Sequence, residues 1–212
     1  MLSKFFGNTR KPEGFGGKLM VAMMNGGHAG MARWGLAHIS LGADARVLDA
    51  GCGGGANLAA LLRLCPAGTV AGLDHSPVSV EAALKKNAAG VQVGCCRVVQ
   101  GDVLALPFGD SSFDAVTAFE TVYFWPDIEN AFREVRRVLR PGGIFFICNE
   151  DDGEKASGQK WAQIIDGMTV YDSRRLTTLL ESAGFETISA HHERKKGWLC
   201  LTAQKPTADA QP

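Results

Sequence analysis

Val47-Leu48-Asp49-Ala50-Gly51-Cys52-Gly53-Gly54-Gly55-Ala56-Asn57 decides how this chain folds. An apolar run ends in an acid, enters a glycine-rich turn and continues into an apolar helical pattern. Glycines let a backbone turn sharply and lie against a ligand where any Cβ would collide. The helix that follows aims its N-terminal amides at whatever occupies the turn. The order predicts a nucleotide pocket. Gly51, Gly53 and Ala56 satisfy G-x-G-x-x-G/A, the pattern of nicotinamide and flavin sites, and by itself that pattern leaves the cofactor open.

Working outward, strand-like and helix-like runs alternate. Arg46–Ala50, Thr69–Leu73, Arg97–Gln100, Phe113–Phe119 and Ile144–Cys148 read as strands. Asn57–Leu64, Pro77–Ala89 and Pro126–Leu139 read as helices. Ser76 is the expected N-cap of the second helix, with Pro77 at its first position. The third carries Ile128, Phe132, Val135 and Leu139 as one apolar stripe and is stopped by Pro141-Gly142-Gly143. Asp172 caps a further helix, with Leu176, Leu179 and Leu180, that Gly184 closes. Phe185–His191 and Trp198–Ala203 form a last hairpin. Strands apolar on both faces, alternating with helices, predict an α/β fold with a doubly wound, seven-stranded, mostly parallel sheet. The hairpin puts in one antiparallel strand.

Residues 1–40 differ. Pro12–Gly17 is loop-like, Lys18–Asn25 carries Met20, Met23 and Met24, and Met31–Ile39 is helical again after Gly26-Gly27-His28. They are expected to form a helical cover over the pocket, within the same domain as 41–205. Lys205–Pro212 reads as a disordered polar tail.

Composition narrows the function. With 46% hydrophobic and 21% charged residues in 212, this is an ordinary globular chain. Its 22 basic and 22 acidic residues cancel, which gives no basic face for nucleic acid. No apolar run reaches the roughly 20 residues of a membrane span, and no signal peptide is visible, so a cytoplasmic location without membrane insertion is expected. Cys52, Cys65, Cys95, Cys96, Cys148 and Cys200 form no CxxC pair, so reduced thiols and no metal are expected.

Val47–Asn57, Gly72–Pro77, Gly101-Asp102-Val103, Leu106-Pro107-Phe108, Ser112-Phe113-Asp114 and Val138–Gly143 together resemble the successive motifs of class I S-adenosylmethionine-dependent methyltransferases. They resemble the small-molecule branch called methyltransferase type 11 or UbiE-like. The likeness covers about Arg46 to Ile147 and implies a Rossmann-like fold with S-adenosylmethionine as cofactor. It implies that Asp49 and the Gly51–Gly55 backbone, with Cys52 and Gly53, hold the methionine part. Asp74 is implied for the ribose hydroxyls and His75 for the adenine neighbourhood. Asp102 and the Val103 amide are implied for the adenine edge, and the Phe119 carbonyl for the methionine amine.

A sulfonium methyl is already activated, so alignment and water exclusion are the main tasks, and a base is needed only for a protonated acceptor. Glu120-Thr121-Val122-Tyr123-Phe124-Trp125-Pro126 follows the fourth strand and is expected to face the transferred methyl. It lacks the Asn/Asp-Pro-Pro-aromatic motif of nucleobase and protein-amine enzymes. Glu120 and Tyr123 are the candidates to orient an acceptor or take its proton; His28 is a candidate base in the cover. His38 is expected to pack. His191 and His192, being adjacent on a strand, point to opposite faces. Lys195-Lys196 reads as a solvated turn.

The reading is a methyltransferase acting on a small, fairly apolar acceptor by direct in-line displacement. A quinone-type C-methyltransferase and a non-catalytic S-adenosylmethionine-binding protein are the alternatives, and a nicotinamide-dependent reductase is the rival from outside the family. The acceptor and the oligomeric state are not fixed by sequence.

Overall fold

A computed structural model of the chain describes residues 28–154, 163, 165 and 167–207. The expected helix at Lys18–Asn25, with Met20, Met23 and Met24, and the Pro12–Gly17 loop lie outside the described residues. In chain order the elements are α1 (Ala29–Leu36), β1 (Arg46–Ala50), α2 (Ala56–Leu64), β2 (Thr69–Asp74), α3 (Pro77–Lys86), α4 (Ala88–Gln92) and β3 (Cys96–Gln100). Then come β4 (Phe113–Phe119), a 3-10 turn (Val122–Phe124), α5 (Ile128–Val138), β5 (Leu139–Asn149), α6 (Ser173–Ser182), β6 (Glu186–Glu193) and β7 (Trp198–Gln204).

The strands form one seven-stranded sheet in the order β3-β2-β1-β4-β5-β7-β6. β3, β2, β1, β4 and β5 pair in parallel, while β7 runs antiparallel to both β5 and β6. The doubly wound α/β expectation and its single reversed strand are both met. Alternation along β1 shows why the sheet must be covered twice. Leu48 and Ala50 enter a core with Phe132 and Val135 of α5 and Leu176 and Leu180 of α6. Val47 enters the opposite core with Leu58 and Leu61 of α2 and Ala83 of α3. Met31 and Ala32 of α1 extend that second layer over Phe146, Cys148 and Cys200. Burying one such Leu or Phe contributes roughly 1.5–3 kcal/mol.

Ser76 caps α3 as expected, its Oγ accepting from Ser79 N at 3.3 Å with Pro77 in the first turn. Asp172 caps α6, accepting from Arg175 N at 2.7 Å. Several boundaries differ, each for a physical reason. Asp127, expected within the first turn of α5, is its N-cap at φ 45° and accepts from Asn130 N. The expected Pro77–Ala89 helix breaks at buried Asn87, whose Nδ2 donates at 3.0 Å to both Ala83 O and Gly55 O. β5 begins at Leu139, paired with Phe113 through a register shift across Pro141-Gly142-Gly143, so those residues end α5 and start the strand. Lys205, expected in a disordered tail, is buried. Its Nζ donates to Leu139 O at 2.8 Å, and its backbone pairs with Gly142 and Gly143. His38 packs as expected, stacked 4.1 Å from the His191 ring. Lys196 is not simply solvated: its ammonium lies 4.0 Å over the Trp198 ring.

All six cysteines are free. Among the described residues, no helix is long and apolar enough to cross a membrane.

Candidate active site

The carboxyl ends of β1, β2, β3 and β4 open into one cavity of about 730 Å³. Parallel α/β sheets bind ligands at this edge, where helix N-termini and loops converge. Its far wall is α1 with the first residues of the segment after β4.

The glycine turn is built by its own backbone. Gly51 N and Cys52 N both donate to Leu73 O of β2, at 2.8 and 2.9 Å, and Gly55 N donates to Cys52 O at 2.9 Å. Gly53 N donates to Asp74 Oδ2 at 2.9 Å. These four amides are engaged within the protein. What the glycines supply is conformation and room. Gly51, at φ 79°, has no space for a Cβ because the Thr121 side chain occupies it. A Cβ on Gly53 would meet no atom within 4 Å and would project into space a ligand needs. Cys52 lines the cavity and is buried, which holds its thiol well above its ordinary pKa.

Asp49 ends its strand behind this turn. It is 1% exposed and does not line the cavity. Its Oδ1 accepts from Thr117 Oγ1 at 2.8 Å, and its Oδ2 is buried with no hydrogen-bond partner. Burial pushes its carboxyl up to about 7, against the effect of the Thr117 hydroxyl. Asp74 does line the cavity. Its Oδ1 accepts from Ser76 N at 2.9 Å, so each oxygen holds one backbone amide and keeps a lone pair free. His75 lies half exposed at the rim, its Nδ1 3.7 Å from Asp74 Oδ1. Gly101, Asp102 and Val103 close that end of the cavity. Asp102 Oδ1 accepts from Leu104 N at 2.9 Å, which fixes the turn after β3. Phe119, at the end of β4, lines the cavity and packs its ring on Phe146.

At the opposite end, Glu120, at φ 56°, turns the chain out of β4. His28 N-caps α1 by position, and its Nδ1 lies 3.9 Å from Glu120 Oε2 and 3.1 Å from Glu150 Oε2. Burial pushes the Glu120 carboxyl up to about 7, with His28 opposing it. The Glu150 carboxylate beside His28 raises that imidazole, and burial works the other way. Tyr123 is 3% exposed and lies outside the cavity lining. Its hydroxyl donates to Glu120 Oε1 at 3.3 Å and accepts from Asp151 N at 3.2 Å. The structure thus sets Tyr123 behind Glu120, hydrogen-bonded to its carboxylate and outside the cavity lining. Phe124 and Trp125 line the wall next to it.

Residues 48–147 match the family model described as "Methyltransferase domain". A sterol 24-C-methyltransferase from Gibberella zeae is 34% identical over 169 residues, covering 74% of this chain and 43% of the relative. A demethylmenaquinone methyltransferase from Roseiflexus castenholzii is 42% identical over 113 residues, covering 52% of this chain and 46% of the relative. This chain carries a class I S-adenosylmethionine-dependent methyltransferase domain. A solved methyltransferase from Aquifex aeolicus superposes on this methyltransferase fold with a TM-score of 0.73 at 18% identity, covering 88% of this chain and 97% of that one. The chain spans less than half the length of the curated relatives it matches.

S-adenosylmethionine is the cofactor of this methyltransferase family, and the residues present fit it. The open space at Gly53 and the spare lone pairs of Asp74 are features of a crevice shaped for a polar molecule with hydroxyls to donate, and the buried Asp49 carboxyl stands behind it. Three contributors escaped the sequence reading. Thr117 and Asn87 act on Asp49 and the glycine turn from distant segments. Glu150 had one available signal: it is an acid just past the end of β5, as Glu120 is past the end of β4.

Proposed function

We propose that this protein moves a methyl group from S-adenosylmethionine to a small, fairly apolar acceptor by direct in-line displacement. One observation carries the reading: a single continuous cavity runs from Asp74 and Asp102 to Glu120, Phe124 and Trp125, so donor and acceptor share one chamber. Bound there, the cofactor supplies an activated methyl on a sulfonium. Asp74 holds the ribose hydroxyls through its free lone pairs, and the Asp102–Val103 turn receives the adenine edge. The space over Gly53 takes the methionine part, with the Phe119 carbonyl toward its amine. Asp49 acts from behind the turn by fixing its charge and shape.

At the acceptor end, Glu120 Oε2 and His28 orient the acceptor and accept a hydrogen bond or proton from it where it has one to give. Phe124, Trp125, Leu36 and Leu64 make the neighbouring wall apolar, which aligns the acceptor and excludes water. The lipophilic acceptors named for the sterol and demethylmenaquinone relatives agree with that wall, and a quinone-type C-methyltransferase is the specific variant they favour. A reducing, cytoplasmic setting is part of this reading, supported by the six free thiols. α1, the described part of the 1–40 cover, forms one wall of the chamber.

The test is a pair of titrations followed by turnover. S-adenosylhomocysteine is expected to bind saturably and raise the melting temperature, and reduced nicotinamide to do neither. S-adenosylhomocysteine release is then screened against quinones, phenols, thiols and amines. Binding without release to any acceptor would favour a non-catalytic S-adenosylmethionine-binding protein.

A further inference from the structure

We propose that His28, Glu120 and Glu150 form a binding site for a first-row divalent cation at the acceptor end of the cavity. This goes beyond the methyl-transfer reading and does not depend on it. It also departs from the expectation of no metal, which rested on cysteine and histidine spacing. Here the three donors come from segments far apart in sequence.

Each donor is delivered by a different element: His28 by the start of α1, Glu120 by the end of β4, Glu150 by the end of β5. Among the described residues this group converges so that its ligand atoms all lie within 4.8 Å of one another. His28 Nδ1 stands 3.1 Å from Glu150 Oε2 and 3.9 Å from Glu120 Oε2. Ligand atoms about 2.0–2.2 Å from Zn²⁺ stand roughly 3–3.5 Å apart, so small side-chain rotations complete the set.

The surroundings suit a cation. His28 Nδ1 is shielded from solvent and lies 3.1 Å from Glu150 Oε2, with a second carboxylate close behind it. The nitrogen faces two carboxylates at once, at ion-pair distance from each. Glu120 is held as a ligand would be. Its Oε1 accepts from Tyr123 Oη and from Glu150 N, which leaves Oε2 turned to His28. Hydrogen bonds that orient a ligating carboxylate are a usual support of metal sites. Two carboxylates face one imidazole, and among the described residues no lysine or arginine pairs with either. Imidazole with carboxylates suits Zn²⁺, Mn²⁺ or Co²⁺. His28 and Glu120 line the cavity, so the cation would present open positions to an acceptor oxygen or nitrogen.

The experiment uses the full chain, stripped with chelator and titrated calorimetrically with Mn²⁺, Co²⁺ and Zn²⁺. One equivalent is expected to bind, and Glu150→Gln is expected to weaken binding at least tenfold while S-adenosylhomocysteine affinity stays within twofold. The cofactor titration also reports folding. Pulsed EPR of the unmodified chain loaded with Mn²⁺ is expected to show coupling to one imidazole nitrogen, a readout that needs no variant. Absence of saturable binding for all three ions, unchanged binding in Glu150→Gln, or absence of the nitrogen coupling would each overturn the site. Failure of the unmodified chain to bind S-adenosylhomocysteine would count against the methyl-transfer reading alone.

Discussion

Thr117 faces Asp49 across the β1–β4 pairing and donates its hydroxyl proton to Asp49 Oδ1 at 2.8 Å, with both residues buried. A carboxyl in that position is held near 7 by desolvation, well above its ordinary 3.8. The folded protein therefore keeps a proton that the unfolded chain releases. Stability from this group is full below about pH 4 and is lost as pH rises through 7. Without cofactor, unfolding free energy is expected to fall by up to about 1.4 kcal/mol per pH unit between about pH 4 and pH 7 and to level off above that. Asp49→Asn should remove that slope. Urea unfolding at pH 5 and pH 6.5 measures both, and equal pH dependence in the two proteins would mean that Asp49 is already ionised in the fold.

Asp74 serves two masters, the Gly53 amide and the proposed ribose contact. Asp74→Ala is expected to weaken S-adenosylhomocysteine at least tenfold and to loosen the glycine turn. Asp74→Asn keeps one acceptor oxygen and should fall between the two. Calorimetry on both variants decides it; equal affinity across the three proteins would remove Asp74 from the cofactor site.

Tyr123 acts through Glu120. Tyr123→Phe leaves Glu120 Oε1 and Asp151 N each short of one partner, at an expected stability loss of about 1–2 kcal/mol. Once an acceptor is found, kcat should drop severalfold while cofactor affinity holds. A fall in cofactor affinity of equal size would show that the residue supports the whole pocket.

Arg137 of α5 grips the loop that ends in the cavity floor. Its guanidinium donates to Leu106 O at 3.0 Å and Phe108 O at 2.8 Å while pairing with Glu134 and Asp110. Arg137→Met is expected to cost about 2–3 kcal/mol, since hydrogen bonds to charged groups are the stronger kind. Cofactor binding should weaken through the displaced Asp102–Val103 turn. Thermal melts with and without S-adenosylhomocysteine separate the two effects.

Local chemistry made much of this molecule legible. The β1–glycine–α2 passage, the Ser76 and Asp172 caps and the final hairpin follow from neighbours in sequence, because turns, caps and period-two alternation are short-range physics. Asp74, His75, Asp102 and Val103 were located by motif, and all four line the cavity. What stayed hidden depends on partners far apart in the chain. Nothing near Thr117 announces a bond to Asp49, and nothing near Asn87 announces that it ties α3 to Gly55. Glu150 becomes meaningful only when β4 and β5 lie side by side. The internal use of the Gly51, Cys52 and Gly53 amides is equally non-local, since Leu73 and Asp74 must first arrive beside them. Lys205 looked like tail because its polar character hid a buried bond to Leu139 O.

Gly35 of α1 has no room for a methyl group: a Cβ there would run into Cys148 Sγ and stand 3.1 Å from Phe146 Cζ. The helix seats on β5 through that bare spot, and the same helix carries His28 at its other end. Gly35→Ala would tilt the whole rod and swing the imidazole off its carboxylates without altering any residue that meets a ligand. Activity lost at Gly35 would then report a displaced foundation, and a survey of variants scored on turnover alone would enter it among the chemical groups.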